Sequence, residues 1–147
     1  VVIAGEKNAV AHACDLMKEA GAKRALILPV SVPSHCSLMK ETAVKFQTYI
    51  ESVDFKTTSV KVIHNVDADY AGDIEAIKAK LVDQLHMPVL WTDLVNKMKD
   101  SGVERLIEAG PGKILTGLTK RIDKSLSASA IIDVISLKST IEEISNA

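Results

Sequence analysis

The stretch VERLIEAGPGKILTGLTKRI, running from Val103 to Ile122, carries the clearest architectural signal in the chain. Val103 to Gly110 is a short apolar run of the kind that forms a buried strand, and from Pro111 the chain turns at a glycine pair into a helical period. A strand feeding a helix through a tight turn is the repeating unit of α/β architecture.

The same alternation recurs outward in both directions. Val1 to Ala4 reads as a short strand. Ala9, Val10, Ala13, Leu16, Met17 and Ala20 then share one helical face before Gly21 stops it. RALILPV, Arg24 to Val30, is expected as a strand closed by Pro33. From Ser34, the expected cap, Leu38, Met39, Ala43, Phe46, Tyr49, Ile50 and Val53 recur at helix spacing. SVKVIHNV, Ser59 to Val66, reads as a strand, and GDIEAIKAKLVDQLH as a helix begun by Asp73. Pro88 restarts the chain as a helix that Gly102 ends, with Val89, Trp91, Leu94, Val95 and Met98 as its core side. Serine-rich DKSLSAS, Asp123 to Ser129, looks flexible; IIDVIS, Ile131 to Ser136, and STIEEISN, Ser139 to Asn146, read as the last strand and helix. The whole predicts an α/β fold with a mostly parallel sheet, in which reactive groups gather where strands give way to helices. His35 and Gly110 to Gly112 sit at such points.

Composition narrows the function. The chain has 147 residues, 47% of them hydrophobic, enough for one ordinary domain or a large piece of a bigger one. Eighteen basic and nineteen acidic side chains leave a net charge of -1 with no basic run, which disfavours nucleic acid and anionic membrane as partners. No apolar stretch approaches the roughly 20 residues that cross a bilayer. Cys14 and Cys36 form no CxxC pair, so neither a disulfide framework nor a cysteine zinc site is expected, and a reducing cytoplasm is the expected location. The start, VVIAG, lacks a methionine and a basic leader region and reads as an apolar strand from the middle of a longer chain.

Imidazole titrates near neutrality, so His35 can take a hydroxyl proton and return it to a leaving group once a third group fixes its tautomer. A structural role is the plainer alternative for a histidine at a junction. Ser34 is better placed to cap than to attack, and Cys36 reads as a small buried side chain. His12, His64 and His86 lie in regular elements, and their irregular spacing makes no metal site. GPGK at Gly110 is not a phosphate loop, because Ile107 stands where the first glycine of that motif belongs. It is a strand-to-helix turn whose N–H groups face any anion at the helix start, the basis of an alternative reading as an anion-binding module or a structural piece.

Four blocks together carry a more specific signal: LPVSVPSHCSLMK from Leu28, HNVDA from His64, QLHMPVLWTDLV from Gln84 and EAGPGKILTGLTKRI from Glu108. In this order and spacing they resemble the carboxy-terminal half of the bacterial malonyl-CoA:acyl-carrier-protein transacylases. The resemblance implies an α/β-hydrolase-like large subdomain and a ferredoxin-like small one, with residues 1–30 closing the small subdomain and residues 31–147 returning to the large one. It implies that His35 is the catalytic base and that the main-chain carbonyl of Gln84 orients its imidazole. It further implies malonyl transfer from a coenzyme A thioester to the phosphopantetheine thiol of acyl carrier protein, without metal or redox cofactor. The serine nucleophile of that family lies in a G-x-S-x-G elbow, and no such motif occurs in these 147 residues. The serine, the oxyanion-hole glutamine and the malonyl-binding arginine are thus expected from the amino-terminal half, and this chain alone is expected to be inactive. Lys113, Lys120 and Arg121 are candidates for docking an acidic carrier protein, or form a solvated helix face.

Overall fold

The computed structural model describes residues 1–146. They form two compact units, Val1–Leu90 and the residues from Trp91 onward.

The second unit is built on the stretch that opened the sequence. Helix α4 (Trp91–Asp100) buries Leu94 and Val95, the latter completely, while Val89 just before it stays 40% exposed rather than joining that core. Gly102, at φ 84°, ends the helix in a left-handed turn that lets Val103 N–H reach the Met98 carbonyl at 3.1 Å, a conformation that a side chain would strain. Strand β3 (Arg105–Ala109) follows, then α5 (Ile114–Ile122) and β4 (Ser127–Ile131). The two strands pair in parallel, from Arg105 opposite Ser127 to Ala109 opposite Ile131, with α5 as the crossover. The serine-rich stretch is therefore strand from Ser127 onward, and the strand expected over Ile131 to Ser136 is not there. Asp133 instead caps α6 (Val134–Ser145), accepting from Ser136 N–H, while the Ser136 hydroxyl receives the Asp133 N–H in a capping box. That box fixes a helix five residues earlier than its apolar period suggested.

In the first unit, α1 (Lys7–Glu19) is followed by a long irregular segment, a single 3-10 turn at Ser37–Met39 and α2 (Lys40–Glu51). Cys36, not Ser34, precedes the turn, and no side chain caps it. Helix α2, which buries Ala43 and Ile50, packs on α3 (Ile74–Asp83), and Asp73 caps α3 by accepting from Ala76 N–H at 2.8 Å, as its position in the sequence predicted. Between the helices, the strand expected over Ser59 to Val66 shrinks to β1 (Ile63–His64), paired antiparallel with an unforeseen β2 (Asp69–Tyr70).

The expected strands at Val1–Ala4 and Arg24–Val30 do not form. Both runs lack regular secondary structure and have no strand partner among the described residues, and Leu26, Ile27, Leu28 and Val30 are each more than half exposed. A strand needs a neighbour for its N–H and C=O groups, which β-propensity alone cannot supply. The sheet is accordingly one parallel and one antiparallel pair rather than mostly parallel. Val1, Val2, Val44, Tyr49 and Val60 of the first unit are likewise largely exposed.

Candidate functional site

His35 lies in the irregular segment before the 3-10 turn, exposed, with φ 62°. That left-handed backbone is uncommon for a residue carrying a Cβ and costs on the order of 1–2 kcal/mol. Its neighbours hold it there. The His35 N–H donates to the Leu85 carbonyl at 3.0 Å, and the Cys36 thiol, half-buried, donates to the Pro33 carbonyl at 3.2 Å, closing the turn across the histidine.

The Leu85 contact places the His35 turn against the end of α3, where Gln84 is the C-cap. Two candidate residues 49 positions apart in sequence are thus brought to one place. The bond that joins the segments runs main chain to main chain from His35 to Leu85, one residue beyond the carbonyl expected from the resemblance. The same segment continues to Leu90, whose N–H donates to the Asn65 carbonyl at 2.8 Å, tying it to the β1–β2 hairpin.

That hairpin is locked from within. Ala68, buried and at φ 53°, makes the turn. The Lys80 ammonium, 15% exposed, spans it with contacts to the Asp67 carboxylate at 2.7 Å and to the Tyr70 and Asp69 carbonyls at 2.7 and 3.2 Å. Partial desolvation opposes ionisation of Asp67, but the hydrogen bonds from Lys80 and the Asp69 N–H outweigh it and leave its pKa below the ordinary value. His64 lies beneath, 8% exposed; burial first and the Lys80 charge second lower its pKa against the weaker pull of Asp67. No local pattern points to this lock, since Lys80 stands in α3 and Asp67 in the hairpin.

The glycine turn is organised differently. Glu108, on β3, reaches forward so that its carboxylate accepts from the N–H groups of Leu115 and Thr116 at 3.2 and 2.7 Å and from the Thr116 hydroxyl at 2.7 Å. The Thr116 N–H above all, then its hydroxyl and the Leu115 and Ile114 N–H groups, outweigh desolvation and lower the Glu108 pKa. The anion that a helix start attracts is thus the chain's own side chain. This corrects the expectation that the turn at Gly110 to Gly112 offers its helix N–H groups to a ligand. Neither glycine has a positive φ or a close neighbour, so the turn does not demand glycine on either ground. Nearby, Asp123 pairs with Lys99 and accepts from Ser125, which together hold its pKa far below the usual carboxylate range.

Among the described residues no helix is long and apolar enough to cross a membrane. No family model matches the sequence. Curated relatives do. The malonyl CoA-acyl carrier protein transacylase of Escherichia coli strain K12 is 50% identical over 142 residues, covering 97% of this chain and 46% of the relative. That of Bacillus subtilis is 43% identical over 133 residues, covering 90% and 42%. A malonyl-transacylase solved in complex with its type II PKS acyl-carrier protein superposes with a TM-score of 0.92 at 50% identity, over 95% of this chain and 45% of that one. An acyl carrier protein S-malonyltransferase from Vibrio cholerae gives 0.87 at 52% identity, over 92% and 44%. The chain spans a little under half the length of the relatives that it matches. Across nearly all of its own length, in sequence and in fold, it is homologous to the malonyl CoA-acyl carrier protein transacylases, the family its four motif blocks resemble.

Proposed function

We propose that this chain supplies the general base of a malonyl-CoA:acyl-carrier-protein transacylase, with His35 as the base and the Gln84 main-chain carbonyl as its orienting acceptor. The observation that carries the reading is the meeting of the His35 turn with the Gln84–Leu85 end of α3, in a chain half identical to enzymes of that name. An imidazole whose second nitrogen is held by a carbonyl has a fixed tautomer, the role an aspartate fills in the usual triad. His35 takes the proton of a serine as that hydroxyl attacks the malonyl thioester. The proton then passes to the departing coenzyme A thiolate, leaving an acyl-serine. The phosphopantetheine thiol of acyl carrier protein next attacks the acyl-serine, and the serine recovers its proton through the same imidazole.

The serine, its elbow, the oxyanion glutamine and the carboxylate-binding arginine belong in this reading to the amino-terminal half of the enzyme. Uncovered Leu26, Ile27, Leu28 and Val30 support a further length of polypeptide against this chain. The division into a ferredoxin-like part, residues 1–30, and a hydrolase-like part, residues 31–147, is proposed on the same likeness, as are the cytoplasmic location and the absence of a metal or redox cofactor.

The test is a chimera in which the first half of the Escherichia coli relative precedes this sequence. It is expected to transfer malonyl groups, and His35→Ala is expected to lower the rate about 10²- to 10⁴-fold. Near-normal transfer by that variant overturns the assignment. This chain alone, mixed with malonyl-CoA, is expected to show no covalent adduct by intact mass; a stable adduct means that it holds its own nucleophile.

A further inference from the structure

The backbone of His35 is one of two non-glycine residues with positive φ among the described residues, and it belongs to the candidate base itself. Strain of this kind persists only where the surroundings over-determine it, and it collects at sites that use it. Two contacts fix the turn from outside the imidazole. One is the Leu85 carbonyl, which receives the His35 N–H; the other is the Cys36 thiol, which spans back to Pro33 at 3.2 Å. Cys36 is also the residue from which the 3-10 turn starts, its carbonyl accepting from Met39 N–H at 3.0 Å. It therefore joins the strained turn to the helix behind it. The His35 side chain makes no part of either contact and is left exposed.

Resting on the reading of His35 as the base, we propose that the left-handed turn is a strained aiming device for the imidazole and that Cys36 is its positioning residue. The thiol does not touch substrate. It closes the Pro33–Cys36 turn, and that closure, with the Leu85 carbonyl, keeps His35 out of the relaxed backbone regions in which its ring would swing away.

Two measurements in the chimera test this. For strain, thermal midpoints of His35→Gly and His35→Ala are compared. At an ordinary loop position glycine is the less stable of the two, because its unfolded chain has more freedom to lose. Here His35→Gly is expected to melt higher, since only glycine takes positive φ freely. A midpoint for His35→Gly at or below that of His35→Ala overturns the strained turn. For positioning, Cys36→Ala is expected to lower kcat three- to tenfold with KM for malonyl-CoA unchanged, and Cys36→Ser, which restores a donor of nearly the same size, is expected to recover most of it. Unchanged kcat in Cys36→Ala, or a loss that Cys36→Ser does not repair, overturns the role of the thiol. If Cys36→Ala does not fold, Cys36→Ser alone decides: kcat within twofold of the parent supports the hydrogen bond, and a loss beyond tenfold overturns it. The underlying reading fails separately, through normal transfer by His35→Ala.

Discussion

Two loops that lead into helices, one ahead of α2 and one ahead of α5, solve the same problem in opposite ways. At Gly110 to Gly112 the chain uses two glycines that its geometry does not need, and it fills the helix start with its own carboxylate from Glu108. At Pro33 to Cys36 it places a histidine in the conformation that suits glycine, secures the main chain by hydrogen bonds, and leaves the side chain exposed. The first junction commits the Leu115 and Thr116 N–H groups of its helix start to the chain's own carboxylate. The second holds strain and keeps one reactive group uncommitted. Polar satisfaction marks a structural turn, and an over-determined strained residue with an idle side chain marks a functional candidate.

The largest expected effect separates the two junctions. In the chimera, His35→Ala lowers transfer about 10²- to 10⁴-fold with little change in melting temperature, whereas Glu108→Ala lowers the melting temperature and spares transfer at a permissive temperature. Activity assays beside thermal melts check both, and a melt unaffected by Glu108→Ala breaks the comparison on the structural side. The Glu108 contribution has a defined sign in pH. Its folded pKa lies below the ordinary value of 4.5, so the stability is fully present above that pH and is lost as pH falls toward the folded value. Glu108→Gln should therefore flatten the acid limb of the stability curve.

Next in size is the lock behind the His35 loop. Lys80→Met deprives two carbonyls and the Asp67 carboxylate of their donor and is expected to cost about 1–3 kcal/mol in a denaturant melt; a cost near zero means that the hairpin stands without it. His64 gives a smaller, pH-dependent effect. Its folded pKa is lowered from 6.5, so its contribution is complete above 6.5 and falls away as pH drops through the folded value, because the unfolded chain binds the proton first. Replacing it in His64→Asn should flatten the fall in stability as pH drops below 6.5, and an unchanged slope assigns that titration elsewhere. The smallest effect is expected from Gln84→Ala, within about tenfold in rate or roughly 1.4 kcal/mol, since the proposed acceptor is a carbonyl that alanine retains. A loss as deep as that of His35→Ala would transfer the orienting role to the Gln84 side chain.

Local pattern carried the helices well. The apolar periods of α1 to α5, the Asp73 cap and the Gly102 stop are properties of neighbours in sequence, and the structure forms each of them, though α2 opens at Lys40, six residues beyond the cap expected at Ser34. Strands fared less well, for a physical reason: Arg24 to Val30 has the composition of a strand but no strand partner among the described residues, and Ser127 to Ser129, read as flexible, became strand because β3 lies beside them. The candidate site was legible as residues and not as geometry. His35 and Gln84 were named from their motifs, while the contact that unites their segments falls on Leu85, whose side chain carries no chemical signal.

By itself the sequence determined the helical faces, the strand–turn–helix unit at Val103 to Ile122 and the family likeness, because each is written in residues close together along the chain. Tertiary structure alone decided which apolar runs became strands, that Glu108 would occupy the helix start seven and eight residues ahead, that Lys80 would close a hairpin thirteen residues back, and that a histidine would adopt a left-handed backbone. Those outcomes depend on where a carbonyl, an ammonium or a second strand arrives in space. A chain specifies its own periodicity locally, but its hydrogen-bond partners are chosen only when distant segments meet.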